Sequence, residues 1–191
     1  PRSRGLGDVY KRQMIYGIQG ENGSGKTMLM RGICGLIKGS EGCITIDGKV
    51  IGKDISFPED IGVLIENPSF IPKYTGYKNL KLVADIQGKV DKEEIIKTLQ
   101  KVGLKSDDKR TYKKYSLGMK QRLGIACAIM GTPKLIILDE PFNGLDEKGV
   151  LQIRDVIKGL KQKNCIVIVA CHDKEQLEYL SDEIYVIKEG K

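Results

Sequence analysis

The sequence predicts an α/β fold built on a mostly parallel sheet that helices cover on both faces. Short apolar runs, typical of buried strands, alternate along the chain with stretches whose apolar residues recur at helical spacing. A glycine-rich loop also joins the first apolar run, residues 14–19, to the first helical stretch, residues 27–35. Strands that alternate with helices favour parallel pairing, because a helix carries the chain back to the start of the next strand.

The remaining elements follow from the same periodicities. Predicted strands lie at residues 43–47, 49–51, 61–65, 134–139, 166–170 and 183–188, and predicted helices at 79–86, 92–102, 117–130, 147–162 and 174–180. The Asp47-Gly48 pair, where the strand at 43–47 gives way to the strand at 49–51, indicates a β-hairpin. Three helices follow one another without a strand, so residues 68–130 are expected to form a helical subdomain. It would be inserted into a core of residues 14–67 and 131–191, giving one domain over 14–191.

Composition limits the classes of function. The 191 residues suffice for one compact domain, and 40% hydrophobic and 30% charged residues are ordinary for a globular protein. The net charge of +7 includes no basic run with interleaved aromatic residues, so direct nucleic-acid binding is not expected. Five cysteines show no CxxC pair, and the single histidine excludes a metal cluster of several histidines. The most apolar stretch, residues 165–171, is too short to span a bilayer.

The first thirteen residues differ in character from the rest. They carry three arginines and two glycines without helical or strand periodicity. The run Asp-Val-Tyr-Lys-Arg-Gln at 8–13 resembles a translated transposon mosaic end, the adaptor used to fragment DNA for sequencing. Residues 1–13 are therefore expected to be a foreign segment outside the fold. The alternative is a genuine flexible N-terminal arm.

The loop at residues 20–27, Gly-Glu-Asn-Gly-Ser-Gly-Lys-Thr, fits the pattern G-x-x-x-x-G-K-[ST]. Glycines let backbone N–H groups close around phosphate oxygens, and the start of the following helix adds partial positive charge. Lys26 is expected to reach the β- and γ-phosphates, and the Thr27 hydroxyl to bind Mg²⁺. The rest of the predicted cradle is Asn22, Gly23, Ser24 and Gly25. A chance glycine-rich turn is the alternative.

Two adjacent carboxylates, Asp139 and Glu140, end the apolar strand at 134–139. Ligands of open α/β sheets bind at the carboxyl ends of strands, so both acids are expected near the phosphate loop. Asp139 would hold Mg²⁺, directly or through water, and Glu140 would act as general base on the attacking water. The alternative is an acidic turn before Pro141.

A second anion site is predicted at the start of the helix at 117–130. Ser116 has the character of an N-cap, and Gly118 permits close approach of a backbone. The free N–H groups of a helix start favour an anion. Alone, this pattern is more typical of an ordinary cap, but it lies about ninety residues after the phosphate loop and just before the Asp139–Glu140 strand.

In this order and spacing, the motifs resemble those of the ATP-binding cassette (ABC) ATPases, which have a P-loop NTPase fold. Residues 20–27 match the Walker A loop, and residues 135–140 match Walker B with its catalytic glutamate. Residues 116–119 stand at the Leu-Ser-Gly-Gly-Gln signature, and 143–146, ending in Asp146, match the D-loop. His172 matches the switch histidine, for which a buried core histidine is the alternative. The resemblance covers nearly all of residues 14–191.

Two positions depart from the family pattern. The signature segment reads Tyr-Ser-Leu-Gly-Met, without the first glycine and the glutamine, and Glu66 stands where the family has the Q-loop glutamine. Glu66 could still bind Mg²⁺, but its charge would lie beside the γ-phosphate and retune hydrolysis. A solvated loop acid is an equal alternative. The segments 65–70 and 115–122 resemble the bacitracin-resistance and lantibiotic-immunity exporters.

The resemblance implies an ATPase that uses ATP and Mg²⁺ and drives export of a peptide antibiotic or similar drug. It implies a head-to-tail dimer, in which Lys26 and Thr27 of one subunit and Ser116 and Gly118 of the other enclose one ATP, with Asp146 nearby. The partners would be membrane-spanning permease subunits, at the cytoplasmic face of the membrane.

Two alternatives to a transporter subunit stay open. One is a soluble ABC-type ATPase acting on nucleic acid or the ribosome. The other is a truncated, non-catalytic cassette. The family places two strands and an adenine-stacking aromatic residue before the Walker A strand, and Tyr10, within the expected foreign segment, is not assigned that role.

Overall fold

The structure is a computed structural model that describes residues 13–161, 165–188 and 190. Residues 1–12, and with them Tyr10, lie outside the described part of the chain. The interpretation of that segment as foreign therefore remains a prediction. So does the end of the predicted helix at residue 162.

Within the described residues, a five-stranded sheet forms the centre of the molecule, and every pairing in it is parallel. The predicted α/β fold with a parallel sheet is thereby confirmed. Its strands are β1 (Ile15–Gln19), β4 (Ile61–Leu64), β5 (Leu135–Asp139), β6 (Ile166–Cys171) and β7 (Glu183–Val186). Across the sheet they lie in the order β4-β5-β6-β1-β7.

A separate hairpin consists of two short antiparallel strands, β2 (Thr45–Ile46) and β3 (Lys49–Val50). Asp47 and Gly48 between them have φ of 49° and 76°. Two successive left-handed residues are what the tightest hairpin turn requires, so the Asp-Gly prediction is confirmed. Both strands are shorter than predicted.

In the described part of the chain six α-helices connect the strands, and three of them lie between β4 and β5. The helices are α1 (Lys26–Ile33), α2 (Gly76–Gln87), α3 (Lys92–Lys101), α4 (Leu117–Ile129), α5 (Glu147–Leu160) and α6 (Lys174–Leu180). Helix α2 begins three residues before the predicted start. The hydroxyl of Thr75 accepts a hydrogen bond from the backbone N–H of Lys78 and caps a first turn that apolar periodicity does not reveal.

Two apolar clusters cover opposite faces of the sheet, as the alternation along β5 shows. Ile136 and Leu138 pack with residues of helices α2 to α6, whereas Leu135 and Ile137 pack with α1 and the hairpin. Side chains of a strand point alternately to its two faces, so a continuous apolar run is the pattern of a strand buried on both. No helix in the described part of the chain is long and apolar enough to cross a bilayer.

The register of the three central strands determines where the site forms. Ala170 of β6 lies level with Asp139 of β5 and with Ile18 of β1, and Cys171 lies level with Gln19. The carboxyl ends of β5, β6 and β1 therefore meet at one edge of the sheet. Residues that follow these strands emerge side by side, although the end of β1 lies more than 100 positions before the ends of β5 and β6 in sequence.

Candidate functional site

The glycine-rich loop folds around its own lysine. Gly23 and Gly25 have φ of 85° and 105°, in the left-handed region that favours glycine, and α1 begins at the next residue, Lys26. The Lys26 side chain is only 5% exposed. Its Nζ donates to the carbonyl oxygens of Gly20 at 2.6 Å and Glu21 at 3.1 Å. The ammonium group is thus held at the helix start, where a phosphate would lie.

A hydrogen bond joins the phosphate loop to the end of β5. Thr27 Oγ1 donates to Asp139 Oδ2 at 2.6 Å, across 112 positions of sequence. Asp139 is 4% exposed, and burial raises the pKa of its carboxyl group, although the Thr27 hydroxyl opposes that shift. Its other oxygen, Oδ1, is buried without a hydrogen-bond partner among the described residues. A buried, unpaired carboxylate oxygen beside a hydroxyl is a fitting pair of ligands for Mg²⁺.

Glu140 has an unusual backbone that is held from two sides. Its φ of 47° lies in the left-handed region, which is uncommon for a residue with a side chain. Its N–H donates to the carbonyl oxygen of Ala170 at 2.8 Å, and its own carbonyl accepts from Gln121 Nε2 at 3.0 Å. Strained backbone conformations of this kind persist where surrounding contacts fix them.

The Glu140 carboxylate faces both His172 and Lys26. Its Oε2 lies 2.9 Å from His172 Nδ1, and its Oε1 accepts from the backbone N–H of His172 at 3.1 Å. Lys26 Nζ is 3.6 Å from Oε1. The thiol of Cys171 also borders this carboxylate, and burial raises the pKa of the thiol to about 12. The alternative of a buried core histidine does not hold for His172, because its side chain is 54% exposed.

The phosphate loop and the two carboxylates at the end of β5 border a cavity of about 200 Å³. Its lining consists of Asn22, Gly23, Gly25, Lys26, Thr27, Met28, Asp139 and Glu140. Of the predicted phosphate cradle, Ser24 is not in the lining. Its backbone N–H donates to the carbonyl of Glu21, which shapes the loop.

The predicted second anion site lies in a different place. Ser116 caps α4 by accepting from the N–H of Met119 at 3.2 Å, and it is exposed. A Cβ added to Gly118 would come within 2.8 Å of the Gly144 carbonyl oxygen, so the signature and D-loop segments are packed together through a glycine. Neither Ser116 nor Gly118 lines the cavity at the phosphate loop. One copy of the chain therefore does not bring the two predicted anion sites together there.

Asp146, at the end of the D-loop segment, lies beside the signature helix. Its carboxylate caps α5 by accepting from the N–H of Gly149 at 3.1 Å, and lies 3.6 Å from Arg122 Nη2 of α4. Arg122 also donates to the Val102 carbonyl at 2.7 Å and to Gln152 Oε1 at 2.6 Å. It thereby ties the signature helix to α3 and α5.

Glu66 lies near the site but is paired with another side chain. Its φ is 58°, and its Oε1 lies 2.5 Å from Arg31 Nη2 of α1. Burial is the main cause of the raised pKa of Asp139, and the Glu66 charge adds to it. The ion pair offsets the extra negative charge that the sequence led us to expect beside the phosphates.

Sequence reasoning missed three residues that the structure ties to predicted site groups: Gln121 holds the Glu140 backbone, Arg122 contacts Asp146, and Arg31 pairs with Glu66. The first two stand in the Lys-Gln-Arg run just after the signature segment. A run of polar residues at the start of an otherwise apolar helix is the only signal that could have marked them.

Comparison with known proteins gives one family. The family model described as "ABC transporter" matches residues 8–143. Similar curated proteins are an uncharacterized ABC transporter ATP-binding protein, YybJ, of Bacillus subtilis, the bacitracin transport ATP-binding protein BcrA of Enterococcus faecalis, and the lantibiotic transport ATP-binding protein SrtF of Streptococcus pyogenes. They are 41%, 40% and 39% identical over 96%, 92% and 93% of this chain. The chain spans 84% of YybJ, 58% of BcrA and 76% of SrtF.

A solved structure has the same fold. It is the dimeric structure of an ATP-binding cassette in a post-hydrolysis state, bound to ADP and Pi. The TM-score is 0.81 at 25% identity, and the match covers 94% of this chain and 83% of the other.

Proposed function

Because the chain belongs to the ABC transporter family of ATP-binding proteins, we propose that it binds and hydrolyses ATP as the motor subunit of an exporter. One observation carries this proposal. Lys26, Thr27, Asp139, Glu140 and His172 come from three strand ends and meet at one edge of the sheet. Phosphate binding, metal binding and water activation each find the residue type they need within this group.

The phosphate loop would bind the nucleotide. Lys26 already lies at the helix start and exchanges its two carbonyl acceptors for phosphate oxygens, which bind the ammonium group more strongly. Asn22, Gly23, Ser24 and Gly25 supply the backbone of the loop. The Thr27 hydroxyl and the unpaired oxygen of Asp139 would hold Mg²⁺. When bound, Mg²⁺ neutralises charge that develops on the phosphates.

Glu140 is the proposed general base. It lies close enough to His172 for a hydrogen bond, which orients the carboxylate, and Gln121 and Ala170 fix the backbone beneath it. The carboxylate would accept a proton from the attacking water, while His172 orients that water and the γ-phosphate. Lys26, 3.6 Å away, would stabilise the negative charge of the products.

The complete site is proposed to need two copies arranged head to tail. Ser116 and Gly118 of the second copy would close over the nucleotide that Lys26 and Thr27 of the first copy hold, with Asp146 beside them. The exposure of Ser116 and its separation from the cavity of its own copy support this arrangement. The related cassette bound to ADP and Pi is itself dimeric.

The proposed partners are membrane-spanning permease subunits, which would hold the protein at the cytoplasmic face of the membrane. The core of residues 14–67 and 131–191 would hold the nucleotide. The helical subdomain of residues 68–130, together with the segment 66–77, would pass the opening of the dimer to the permease. The names of BcrA and SrtF support a peptide antibiotic or a similar drug as the exported substrate, and direct contact with nucleic acid is not part of the proposal.

The test compares the wild-type chain with Glu140→Gln and Lys26→Ala. We expect Glu140→Gln to lower Mg²⁺-dependent phosphate release by about 10²- to 10⁴-fold, the range for loss of a general base, while ATP still binds. ATP should also shift Glu140→Gln toward a dimer in size-exclusion chromatography with light scattering.

Lys26→Ala should lose ATP binding as well as hydrolysis. Normal hydrolysis by Glu140→Gln would remove the assignment of the base. A Glu140→Gln protein that binds ATP but stays monomeric at high concentration would contradict the head-to-tail site.

A further inference from the structure

Glu140, Cys171 and His172 place three different ligand types around one point. One carboxylate oxygen, the Cys171 sulfur and a His172 ring nitrogen all lie within 4.8 Å of one another. We propose that these three residues form a binding site for a thiophilic transition metal, Zn²⁺ in particular, separate from the Mg²⁺ ligands. For its effect on hydrolysis the inference rests on the proposed function, whereas metal binding itself does not.

The spacing is close to that of a zinc site. Zinc binds sulfur at about 2.3 Å and nitrogen or oxygen at about 2.0–2.2 Å, so ligand atoms in a tetrahedral site lie about 3.3–3.8 Å apart. The pair Glu140 Oε2 and His172 Nδ1 is already at 2.9 Å. On the same tetrahedral geometry the sulfur, within 4.8 Å of the other two atoms, has to approach by no more than about 1 Å, and the oxygen and nitrogen have to separate by about 0.4 Å. The half-exposed His172 side chain can make such an adjustment, and its exposed side leaves the fourth position for water.

The donor atoms separate this site from the Mg²⁺ site. Mg²⁺ takes hard oxygen ligands, which Thr27 and Asp139 supply. Zinc favours thiolate and imidazole, which Cys171 and His172 supply. Coordination would release the thiol proton to solvent, since the metal binds the thiolate. The backbone N–H of Asp173, 3.3 Å from the Cys171 sulfur, helps to stabilise the thiolate.

Zinc at this position would be bound by Glu140, the proposed base, while the phosphate loop stays free. The Glu140 carboxylate could not accept a proton from water, and His172 would be held away from the γ-phosphate. Lys26 and Thr27 are not ligands of the proposed site, so ATP binding should persist. The expected signature is therefore a fall in kcat with little change in the KM for MgATP.

Binding is tested first with Co²⁺, which replaces Zn²⁺ and gives a near-ultraviolet charge-transfer absorption when a thiolate is a ligand. We expect one equivalent to produce this absorption in the wild-type chain, and Zn²⁺ to abolish it. Cys43→Ser is the matched control, because Cys43 is the exposed cysteine and the simplest rival ligand. The absorption should persist in Cys43→Ser and vanish in Cys171→Ser.

A second variant covers the case in which Cys171→Ser does not fold, as judged by circular dichroism. His172→Ala keeps the thiol, so the absorption should still form but need at least about tenfold more Co²⁺, because one ligand is lost. If Co²⁺ produces no thiolate absorption in the wild-type chain, or if His172→Ala binds it unchanged, the site is wrong.

Inhibition is tested at saturating MgATP with buffered free Zn²⁺. Wild type and Cys43→Ser should be inhibited alike, and Cys171→Ser should need at least about tenfold more zinc. Equal inhibition of all three proteins would place zinc elsewhere and overturn the inference. If Co²⁺ binds through Cys171 but the chain hydrolyses no ATP, the proposed function fails while the metal site stands.

Discussion

The two halves of the proposed ATP site differ in how far a single copy of the chain assembles them. At the phosphate loop, Lys26 and Asp139 are almost fully buried, and Thr27 is bonded to the end of β5. At the signature segment, Ser116 is exposed, and the Asp146 side chain is 74% exposed. The first half already holds its groups around a cavity, whereas the second presents them outward.

The difference has a physical cause. The phosphate-loop half is built by the register of parallel strands, which brings distant residues together and excludes water around them. The signature half is built by local capping at α4 and α5, which satisfies helix ends but buries little. A buried half can bind phosphate alone, but an exposed half gains its environment only from a second surface.

A mixing experiment is the strongest test of whether the two halves of one ATP site come from different copies of the chain. Lys26→Ala should destroy the phosphate-loop half, and Ser116→Arg should block the signature half without touching the cavity. Each variant alone should hydrolyse ATP at least about 100-fold more slowly, because each site then lacks essential charge-stabilising groups. A head-to-tail dimer of one copy of each has one complete site. Random pairing should then restore up to about a quarter of the wild-type rate, measured as phosphate release.

The control for this experiment is Thr75→Arg. Thr75 caps α2 with the same geometry as Ser116 caps α4, so it reproduces the loss of a cap, about 1 kcal/mol, at another helix. If Thr75→Arg is as inactive as Ser116→Arg, the effect is one of stability. Failure of the mixture to regain activity would show that the halves do not pair between copies.

Gln121 connects the two halves within one copy, and a variant without its side-chain amide tests whether this contact positions Glu140. It belongs to the signature helix yet donates to the carbonyl of Glu140. Gln121→Leu keeps the volume but loses this hydrogen bond, worth about 1–1.5 kcal/mol, so kcat should fall about tenfold with an unchanged KM for ATP. In the matched variant Gln152→Leu, the lost bonds go to Arg122 and Lys101 and none to Glu140. Equal effects on kcat in steady-state kinetics would refute the positioning role.

The variant Asp139→Asn tests whether burial of the Asp139 carboxylate lowers the free energy of unfolding. Burial raises the pKa of its carboxyl group, so the folded protein binds that proton more tightly than the unfolded chain. Stability therefore falls as pH rises from the ordinary aspartate range through the folded pKa. At pH 7, Asp139→Asn should raise the free energy of unfolding by about 1 kcal/mol while hydrolysis is lost.

Urea unfolding without nucleotide measures this effect of Asp139→Asn. The gain should disappear below about pH 3, where the carboxyl group is largely protonated in both states. Asp146→Asn is the control, since asparagine caps a helix as well as aspartate and the position is exposed. A gain in Asp146→Asn as large as that in Asp139→Asn would show that burial is not its cause.

The smallest effect is expected at Glu66. Its ion pair with Arg31 is partly exposed, so Glu66→Gln should change the free energy of unfolding by less than about 1 kcal/mol. Since Arg31 already offsets the charge, the rate of hydrolysis should change by no more than about threefold, a barrier change below about 0.7 kcal/mol. A loss approaching that of Asp139→Asn, measured across a Mg²⁺ titration, would instead make Glu66 a metal ligand.

Most of the fold followed from local pattern. Apolar runs predicted all five strands of the parallel sheet, and Asp47-Gly48 predicted the hairpin, because each signal lies within a few residues. The placement of Lys26, Thr27, Asp139 and Glu140 was also predictable, since the rule that ligands bind at the carboxyl ends of strands needs only the strand ends. Element boundaries were less accurate where a polar cap such as Thr75 determined them.

By itself, the sequence determined which residues are proposed for the phosphate, metal and water chemistry, because those motifs are short and the proposed roles follow from residue type and spacing. Only the tertiary structure decided which side chains support them. Gln121 beneath Glu140, Arg31 beside Glu66, and Cys171 beside His172 and Glu140 depend on the register of β5 with β6 and on the packing of α1 and α4. Such contacts join residues distant in sequence, and no local preference encodes them.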